Sequence, residues 1–482
     1  MKQAMNPFLP SWEYVPDGEP RVFGDRVYLY GSHDRFNGKD FCLNDYVCWS
    51  APTDDLSDWR YEGVIYRKTQ DPRNKDGKMH MCAPDCVQGP DGRYYLYYQL
   101  HVLQCTSVAV ADSPAGPFAF YGYVQHPDGT PWGEKRGDSF AFDPGVLVDD
   151  DGKVYLYIGF STEGLFKTVF KLRGNRVEES VCLHLAPDMI TVIGKEHPIV
   201  PGPKVSIGTP FEQHPFFEAS SIRKIGSKYY YVYSSTLSHE LCYAVSDRPD
   251  GGFRFGGTLI SIADIGYHGN KTPLNYTGNT HGGMAKINGE WYIFYHRQTN
   301  KIRCSRQACA ERLTILPDGS IPQVEVTSCG LNGKPLPGRG EYEARIACNL
   351  SGKNGVIKSD DARRKDRKNH LPYFTQSGAD REDDGDQYIA NLRDGAWCGF
   401  KYFSFDGKER SIAVTVRGAA YGKLEVSFQK DFQAVAAVVP INQHGKTETV
   451  HASFLSSKGV YPLYFRFLGD GAIDFIRFMI SI

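Results

Sequence analysis

The sequence has 482 residues, with 55 Lys and Arg against 56 Asp and Glu and a formal net charge of -1. The length exceeds one ordinary domain core and favours two domains. The balanced charge gives no electrostatic case for nucleic acid or an anionic membrane as a partner, and a neutral ligand fits better. Aromatic residues make up 13% of the chain, and Gly and Pro recur between short apolar runs. This composition favours strands and tight turns, so we expect an all-β fold.

The N-terminal segment and the cysteines indicate the compartment. Residues 1–10 lack the apolar core of a signal peptide, and no stretch approaches the roughly 20 apolar residues of a membrane span. The 12 cysteines mostly stand apart, and pairs such as Cys82 with Cys86 lack further ligands at zinc-site spacing. Reduced structural thiols are therefore expected rather than disulfides or metal ligands. These features predict a cytoplasmic protein.

One strand signature recurs five times in the first part of the chain. Each copy is a turn containing Gly followed by an apolar run centred on Tyr, and successive copies stand 60 to 75 residues apart. Repeats of this length with hairpin turns indicate propeller blades, in preference to unrelated hairpins of a sandwich. The sequence therefore predicts a five-bladed β-propeller over residues 1–330. The central tyrosines of the five copies are Tyr28, Tyr95, Tyr155, Tyr230 and Tyr292.

An ionisable residue precedes each signature Tyr by 10 to 12 residues. If the signature is the second strand of a blade, this residue falls on or near the innermost strand. Corresponding positions in the blades lie at one radius, so all five side chains are expected in one central depression. They are Asp17, Asp85, Asp143, Glu218 and His281.

The repeat ends near Pro322, and a second domain is expected after it. Residues 330–338 are rich in Gly and Pro and predict a linker. Strands are predicted at 410–416, 423–428, 460–467 and 472–480. The sequence therefore predicts a small β-sandwich over residues 340–482.

The clustered carboxyl groups suit glycoside hydrolysis. This reaction needs one carboxylic acid to protonate the leaving oxygen and one carboxylate to activate water or attack the anomeric carbon. Two like charges in a partly dry pocket raise the pKa of at least one group, which keeps an acid protonated near neutral pH. The alternative is that Asp17-Gly18 and Asp143-Pro144 are turn formers with no chemical role.

Three segments resemble the catalytic segments of glycoside hydrolase family 43, in the same order. They are Pro16-Asp17-Gly18 with the following Tyr28-Leu29-Tyr30, Phe142-Asp143-Pro144, and Phe217-Glu218-Ala219. The resemblance covers about the first 325 residues. It implies that Asp17 is the general base, that Glu218 is the general acid, and that Asp143 modulates the pKa of the acid and orients substrate.

Further residues of the propeller carry roles implied by the same resemblance. Asp85 lies in a stretch that is similar to a Trp-Ala-Pro-Asp motif, with Cys82 in place of the Trp that walls the sugar pocket. His281 lies in a Gly-His-Gly-like segment whose His often faces a water-ligated calcium ion on the propeller axis; it can bind metal, contact substrate or fill a polar core. Substrate contacts are expected from Arg306 and, more weakly, Arg297. Phe142 either stacks on a sugar face or belongs to the core.

The C-terminal region resembles a family 6 carbohydrate-binding module. The similar segments are Tyr342-Glu343-Ala344, the stretch from Asn391 to Trp397, and the stretch from Ala472 to Phe478. Residues 434–448 depart from the sugar-binding loops of that family. A docking or stabilising domain and a sugar-binding domain therefore both remain open.

Together these features predict an inverting exo-glycosidase that releases terminal pentosides from hemicellulose oligosaccharides, as a β-xylosidase or α-L-arabinofuranosidase. The alternatives are an endo-arabinanase or galactosidase of the same family, and a non-catalytic propeller lectin. A retaining fructan-cleaving propeller enzyme, with the Asp as nucleophile, is a further alternative. The expected partner is an oligosaccharide substrate, and the expected ion is a structural calcium on the axis.

Overall fold

The computed structural model describes residues 4–162, 168–169, 172–358, 370–381 and 386–482. Strands dominate these residues, as the composition predicts. No helix in the described ranges is long and apolar enough to cross a membrane. Short 3-10 helices span Lys68–Gln70, Tyr267–Gly269, Gly330–Asn332 and Ala344–Ile346.

The predicted five-bladed propeller is confirmed. Five antiparallel sheets follow one another along the chain, and the strands of each sheet pair in sequence order. The strands, numbered β1 to β19 in chain order, are Glu19–Phe23, Arg26–Tyr30, Tyr46–Pro52 and Arg60–Tyr66 in blade 1; Met81–Gln88, Tyr94–Leu100, Thr106–Ala111 and Ala119–Tyr123 in blade 2; Gly145–Val148, Val154–Gly159, Glu179–Leu185 and Val192–Pro201 in blade 3; Phe216–Ile225, Lys228–Ser235, Glu240–Ser246 and Arg254–Ser261 in blade 4; Met284–Ile287, Glu290–Gln298 and Arg306–Leu313 in blade 5.

The repeated Tyr signature is the second strand of every blade. It forms β2, β6, β10, β14 and β18, and each copy pairs with the innermost strand before it. These strands are apolar on both faces because every blade packs between two neighbours. In β10, for example, Tyr157 faces blade 4 while Leu156 packs in the cluster shared with blade 2. The near-continuous apolar run is the pattern expected of a strand buried on both sides.

Apolar clusters between neighbouring blades close the ring. Each of five clusters combines side chains from two adjacent blades, including the pair formed by the first and the last. At this closure, Val27 and Leu29 of blade 1 pack with Ile287 and Phe294 of blade 5. The innermost strands therefore converge on one axis, which the functional side chains must face.

The C-terminal region forms a second all-β unit around its own core. Its strands, β20 to β29 in chain order, form one hydrogen-bonded set that surrounds a single apolar cluster. They are Leu336–Pro337, Gly340–Glu343, Asn349–Ser351, Tyr373–Gln376, Gln387–Leu392, Trp397–Phe405, Ser411–Ser427, Val435–His444, Glu448–Ser453 and Gly459–Ser481.

Two long strands replace the four short ones expected from the sequence. Strand β26 pairs with β29 along its whole length, from Ser411 opposite Ser481 to Ser427 opposite Tyr464. The predicted strands are the halves of these two. Gly422 and Gly469 face each other between the predicted halves, and a Cβ on either would lie 2.2 Å from a carbonyl oxygen of the partner strand. The absent side chains therefore let the paired strands pass through the point where the sequence predicts a break.

The segment predicted as a linker is packed rather than free. Leu331 and Leu336 are both buried, and Leu336 pairs in parallel with Phe403 of the C-terminal unit. The two units also share buried ion pairs, since Lys401 contacts Asp264 of the propeller at 3.0 Å. The propeller and the C-terminal unit therefore meet in an extensive polar and apolar contact.

Candidate active site

A cavity of about 190 Å³ opens where the innermost strands of the propeller begin. It brings together six site residues predicted from the sequence and six further residues. The lining residues are Asp17, Phe41, Cys42, Cys82, Ala83, Phe142, Asp143, Phe160, Glu218, Asn279, His281 and Arg306.

Backbone irregularities at the starts of three innermost strands direct the carboxyl groups into this cavity. Asp17 and Asp143 lie directly before the inner strands of blades 1 and 3 and adopt left-handed backbone angles, with φ of 57° and 47°. Glu218 sits between two register shifts of β13, and Ala219 after it has φ of 73°. Non-glycine residues in this conformation are uncommon and cluster at functional sites.

A glycine lets blades 3 and 4 approach closely beside two of the carboxyl groups. A Cβ at Gly145 would lie 2.5 Å from the carbonyl oxygen of Ser220 on the inner strand of blade 4. This approach allows the Ala219 amide to donate a hydrogen bond to Asp143 Oδ2 at 3.2 Å. Asp143 is thereby fixed beside Glu218.

Asp17 is held as a carboxylate. Its Oδ1 accepts a hydrogen bond from Arg306 Nη1 at 2.8 Å. Burial alone would raise the pKa of Asp17, but the charge of Arg306 holds the pKa well below its usual range. Asp17 is therefore ionised at neutral pH and can accept a proton.

His296 also fixes the backbone at Asp17. Its Nε2 lies 2.9 Å from the Asn279 carbonyl oxygen, so this nitrogen donates and Nδ1 is left as an acceptor. The amide of Asp17 donates to that Nδ1 at 3.2 Å. The ring thus orients the carboxylate that Arg306 holds ionised.

Glu218 has the opposite protonation preference. Burial, followed by the negative charge of Asp17, raises the pKa of Glu218 to about 8. Burial and the neighbouring Glu218 raise the pKa of Asp143 well above its usual range. The cavity therefore holds one ionised carboxylate and at least one protonated carboxylic acid at pH 7, as acid–base catalysis requires.

The cavity wall is aromatic on two sides. Phe142 and Phe160 pack with ring centroids 5.0 Å apart, and Phe41 lies against Arg306 with 4.7 Å between the ring centroid and the guanidinium carbon. Cys82 and Cys42 line the same cavity, so a small thiol occupies the position for which the resemblance implies a Trp. These rings offer flat apolar surfaces to a sugar face.

The C-terminal unit supports one part of this wall. Asp380 accepts hydrogen bonds from the Phe36 amide at 2.7 Å and from Asn44 Nδ2 at 3.2 Å. These two residues flank the loop that carries Phe41 and Cys42. The second unit therefore holds a pocket-lining loop of the propeller.

Asp85 and Arg297, expected to contact substrate, do not line the cavity. Asp85 is fully buried and receives hydrogen bonds from Arg21 Nε at 2.8 Å and the Val146 amide at 2.8 Å. Arg297 points to the C-terminal unit, where it donates to the carbonyl oxygens of Ala347 and Arg345. The spacing from the signature Tyr thus predicts how far Asp85 lies from the propeller axis, but not its position along that axis. Arg297 faces the opposite side of β18 from the pocket.

Two buried oxygen atoms close to the His281 segment fit a hard cation. Burial lowers the pKa of His281 to about 4, so its imidazole is neutral at pH 7. Two residues later, a Cβ at Gly283 would lie 2.5 Å from both Glu19 Oε1 and Ser221 Oγ. Among the described residues, these two buried oxygens have no hydrogen-bond partner. A carboxylate oxygen and a hydroxyl suit calcium with water completing its shell.

Several residues of the site could not be assigned from the sequence. Asp34 binds Arg306 Nε at 2.8 Å and accepts a hydrogen bond from the Cys42 amide at 2.9 Å. Phe160 and Asn279 also line the pocket. Asp34 has a detectable signal, since it follows the first signature strand by four residues in Gly31-Ser32-His33-Asp34. Asn279 and Phe160 lie in irregular segments and have none.

An ionised carboxylate and a protonated carboxylic acid, facing one small cavity on the axis of a five-bladed propeller, define the machinery of a glycoside hydrolase. The family model for glycosyl hydrolases family 43 matches residues 5–321. A xylosidase/arabinosidase of Thermoclostridium stercorarium is 50% identical over 481 residues, which cover 99% of this chain and 98% of that protein. The chain belongs to glycosyl hydrolases family 43.

Solved structures of the family share the fold. A family 43 arabinoxylan arabinofuranohydrolase from Bacillus subtilis, in complex with cellotetraose, has a TM-score of 0.54 at 22% identity and covers 100% of this chain and 98% of its own. A β-xylosidase/α-arabinofuranosidase from a compost metagenome, in complex with xylotriose and in a calcium-free form, has a TM-score of 0.52 at 25% identity. That structure covers 67% of this chain and 98% of its own.

Proposed function

We propose that this enzyme is an inverting exo-glycosidase that releases terminal pentosides from hemicellulose oligosaccharides, as a β-xylosidase, an α-L-arabinofuranosidase or both. The observation that carries the proposal is the opposite protonation preference of Asp17 and Glu218 in one cavity. The substrate class is supported by the relative named xylosidase/arabinosidase, which is 50% identical over nearly the whole chain.

In the proposed mechanism, Glu218 donates its proton to the leaving glycosidic oxygen while Asp17 accepts a proton from the attacking water. Arg306 keeps Asp17 ionised, and His296 holds the backbone amide of Asp17. The charge of Glu218 raises the pKa of Asp143; because this repulsion is mutual, an ionised Asp143 would favour the protonated form of Glu218. Single displacement by water inverts the anomeric centre.

The size of the cavity supports action on a terminal sugar. Its volume of about 190 Å³ is below the ~300–1,000 Å³ of sites for drug-sized ligands. A cavity of this volume suits one sugar ring. An endo-arabinanase or galactosidase of the same family remains the alternative enzyme, and a lectin is disfavoured because sugar binding needs no acid and base together.

A panel of 4-nitrophenyl glycosides tests the proposal. We expect release of nitrophenol from the β-D-xyloside or the α-L-arabinofuranoside at rates at least tenfold above those of the hexopyranosides. Activity on a galactoside alone, or on polymeric arabinan without any aryl pentoside, would assign one of the alternatives. Sugar binding with no hydrolysis of any member would assign the lectin.

We also propose a structural calcium ion on the propeller axis, with Glu19 and Ser221 as oxygen donors near His281 and water completing the shell. When bound, the ion would supply positive charge near the acidic cavity. Removing calcium with a chelator should lower the melting temperature, and adding calcium should restore it. A melting temperature that responds to neither treatment would return His281 to a purely structural or substrate-binding role.

For the C-terminal unit we propose a fold like that of a family 6 carbohydrate-binding module, used here to support the active site. A cavity of about 520 Å³ in this unit is lined mainly by polar and small residues such as Lys353, Arg393 and Asp470, and no Trp, Tyr or Phe is among the described residues that line it. Sugar-binding sites usually offer such rings. The contacts of Asp380 support the alternative role. Affinity electrophoresis in xylan gels tests sugar binding by the inactive full-length Glu218→Gln variant.

We propose a reducing compartment, the cytoplasm, as the site of action. All 12 cysteines are free thiols, and only Cys82 is not fully buried. Fractionation of the native host tests this location.

A further inference from the structure

A cluster of metal-ligating side chains lies at the seam between blades 3 and 4, away from the catalytic cavity. His184 comes from β11, His197 from β12 and Asp250 from the turn between β15 and β16. One potential ligand atom from each of the three lies within 4.8 Å of the other two. His184 Nε2 and Asp250 Oδ2 are 3.4 Å apart.

The strand register brings both histidines to one face of blade 3. His197 pairs directly with Cys182, and residues opposite each other in an antiparallel pair share a face. Cys182 and His184 are two residues apart on one strand and therefore also share that face. The next pair along the strands is His184 opposite Ile193, and a register shift in β12 separates it from the pair of Cys182 and His197. This shift draws His197 towards His184, and the two rings stack with centroids 5.1 Å apart.

The carboxylate of the cluster is anchored by a direct contact between the blades. Tyr157 on blade 3 donates a hydrogen bond from its hydroxyl to the Pro249 carbonyl oxygen at 2.7 Å. This bond fixes the turn of blade 4 that carries Asp250. The three potential ligands are thus held by two strands and one pinned turn, as a preorganised site requires.

The chemistry of the histidines also favours a metal. His184 Nε2 is buried and has no hydrogen-bond partner among the described residues, although it faces the other two members of the cluster. A buried nitrogen without a partner costs free energy that a coordinated ion removes.

A second cluster, formed by His214, Glu240 and Cys242, is a weaker candidate. There His214 Nδ1 lies 2.6 Å from Glu240 Oε1, and the Ser235 hydroxyl donates to the same carboxylate at 2.6 Å. Thr258 donates to its other oxygen. Its polar atoms therefore satisfy one another without an ion.

We propose that His184, His197 and Asp250 bind one divalent transition-metal ion, with Zn²⁺ as the best-suited ion, and that this ion links blade 3 to blade 4. Two imidazoles and a carboxylate are a ligand set that zinc prefers, whereas calcium prefers oxygen ligands only. Water completes the coordination because the cluster is partly exposed. The ion acts as a clamp between two blades that carry Asp143 and Glu218.

Titration of Zn²⁺ into the chelator-treated full-length enzyme tests this site. We expect isothermal titration calorimetry to give one zinc per chain, and we expect zinc to raise the melting temperature. Co²⁺ in place of zinc should give visible absorption bands of a low-symmetry, nitrogen-containing site. His197→Ala and Asp250→Asn should each weaken zinc binding at least about tenfold and abolish the rise in melting temperature.

The control is His444→Ala, which removes an exposed imidazole of the C-terminal unit and should leave zinc binding unchanged. Circular dichroism and the melting temperature in chelator establish that each variant folds. Absence of saturable binding of one equivalent by the unaltered enzyme would overturn the proposal. Equal affinity in the His197→Ala variant and the unaltered enzyme would also overturn it, because the ion would then lie elsewhere.

Discussion

The replacement Glu218→Gln tests the proposed acid with little change in side-chain volume. At pH 7, a carboxyl group with a pKa of about 8 is about nine-tenths protonated, whereas one at the ordinary value of 4.5 is about 0.3% protonated. The environment of Glu218 thus raises the fraction of active acid about 300-fold. Loss of a general acid typically costs ~10²- to 10⁴-fold in rate.

The assay compares two leaving groups. With a 4-nitrophenyl or sugar leaving group, we expect kcat/KM of the variant to fall ~10²- to 10⁴-fold. With a 2,4-dinitrophenyl group, which departs without a proton, the loss should be much smaller. In the unaltered enzyme, kcat/KM should be independent of pH well below pH 8 and should fall as the pH rises through about 8, since Glu218 must be protonated. The variant should lose this decline on the dinitrophenyl substrate.

Glu311→Gln is the matched control. Burial also raises the pKa of Glu311 to about 8, but this residue lies at the junction with the C-terminal unit, where it binds Asn6 and Thr327. Its replacement should leave the alkaline decline in place. Equal losses for both leaving groups in Glu218→Gln, or a decline that moves with Glu311 instead, would refute the assignment of the acid.

Three further predictions follow from the same contacts. Asp17→Asn should lower kcat ~10²- to 10⁴-fold with all leaving groups while the protein stays folded, and retention of more than a tenth of kcat would exclude a base at this position. Asp380→Ala removes two hydrogen bonds of about 1 kcal/mol each and should lower kcat/KM about 5- to 30-fold, mainly through KM, whereas Asp394→Ala in the same unit should have no effect on kinetics. Gly145→Ala should reduce the free energy of unfolding by about 1–3 kcal/mol in urea denaturation and also lower kcat, because its Cβ would push blade 3 away from Ser220. Unchanged stability in that variant would contradict the close packing of the two inner strands.

The repeated Tyr signature was sufficient to predict the five blades, because each blade solves the same packing problem with the same strand pattern. Spacing from that signature also predicted the radius of Asp17, Asp143, Glu218 and His281. It did not predict the position of Asp85 along the propeller axis, away from the cavity, which depends on Arg21, a residue on the inner strand of another blade. The pairing of Arg306 with Asp34 and the support from Asp380 join residues far apart in sequence, so no local pattern encodes them.

The C-terminal unit illustrates a different limit. Its apolar segments were predicted as strands, but the continuity of β26 and β29 depends on the Gly422 and Gly469 pair, which meets only in the folded sheet. In a single sequence, these glycines indicate turns. The zinc cluster likewise arises from a register shift in β12 and from contact between two blades.

The stereochemistry of the first product tests the central claim most directly. Proton NMR in the first minutes of hydrolysis of an aryl β-D-xyloside or α-L-arabinofuranoside records which anomer is released before mutarotation. Water activated by Asp17 attacks the face opposite the leaving group, so we expect the β-xyloside to release α-xylose first, or the α-arabinofuranoside to release the β anomer. Initial release of the same anomer as in the substrate would make Asp17 a nucleophile and would contradict the single-displacement mechanism.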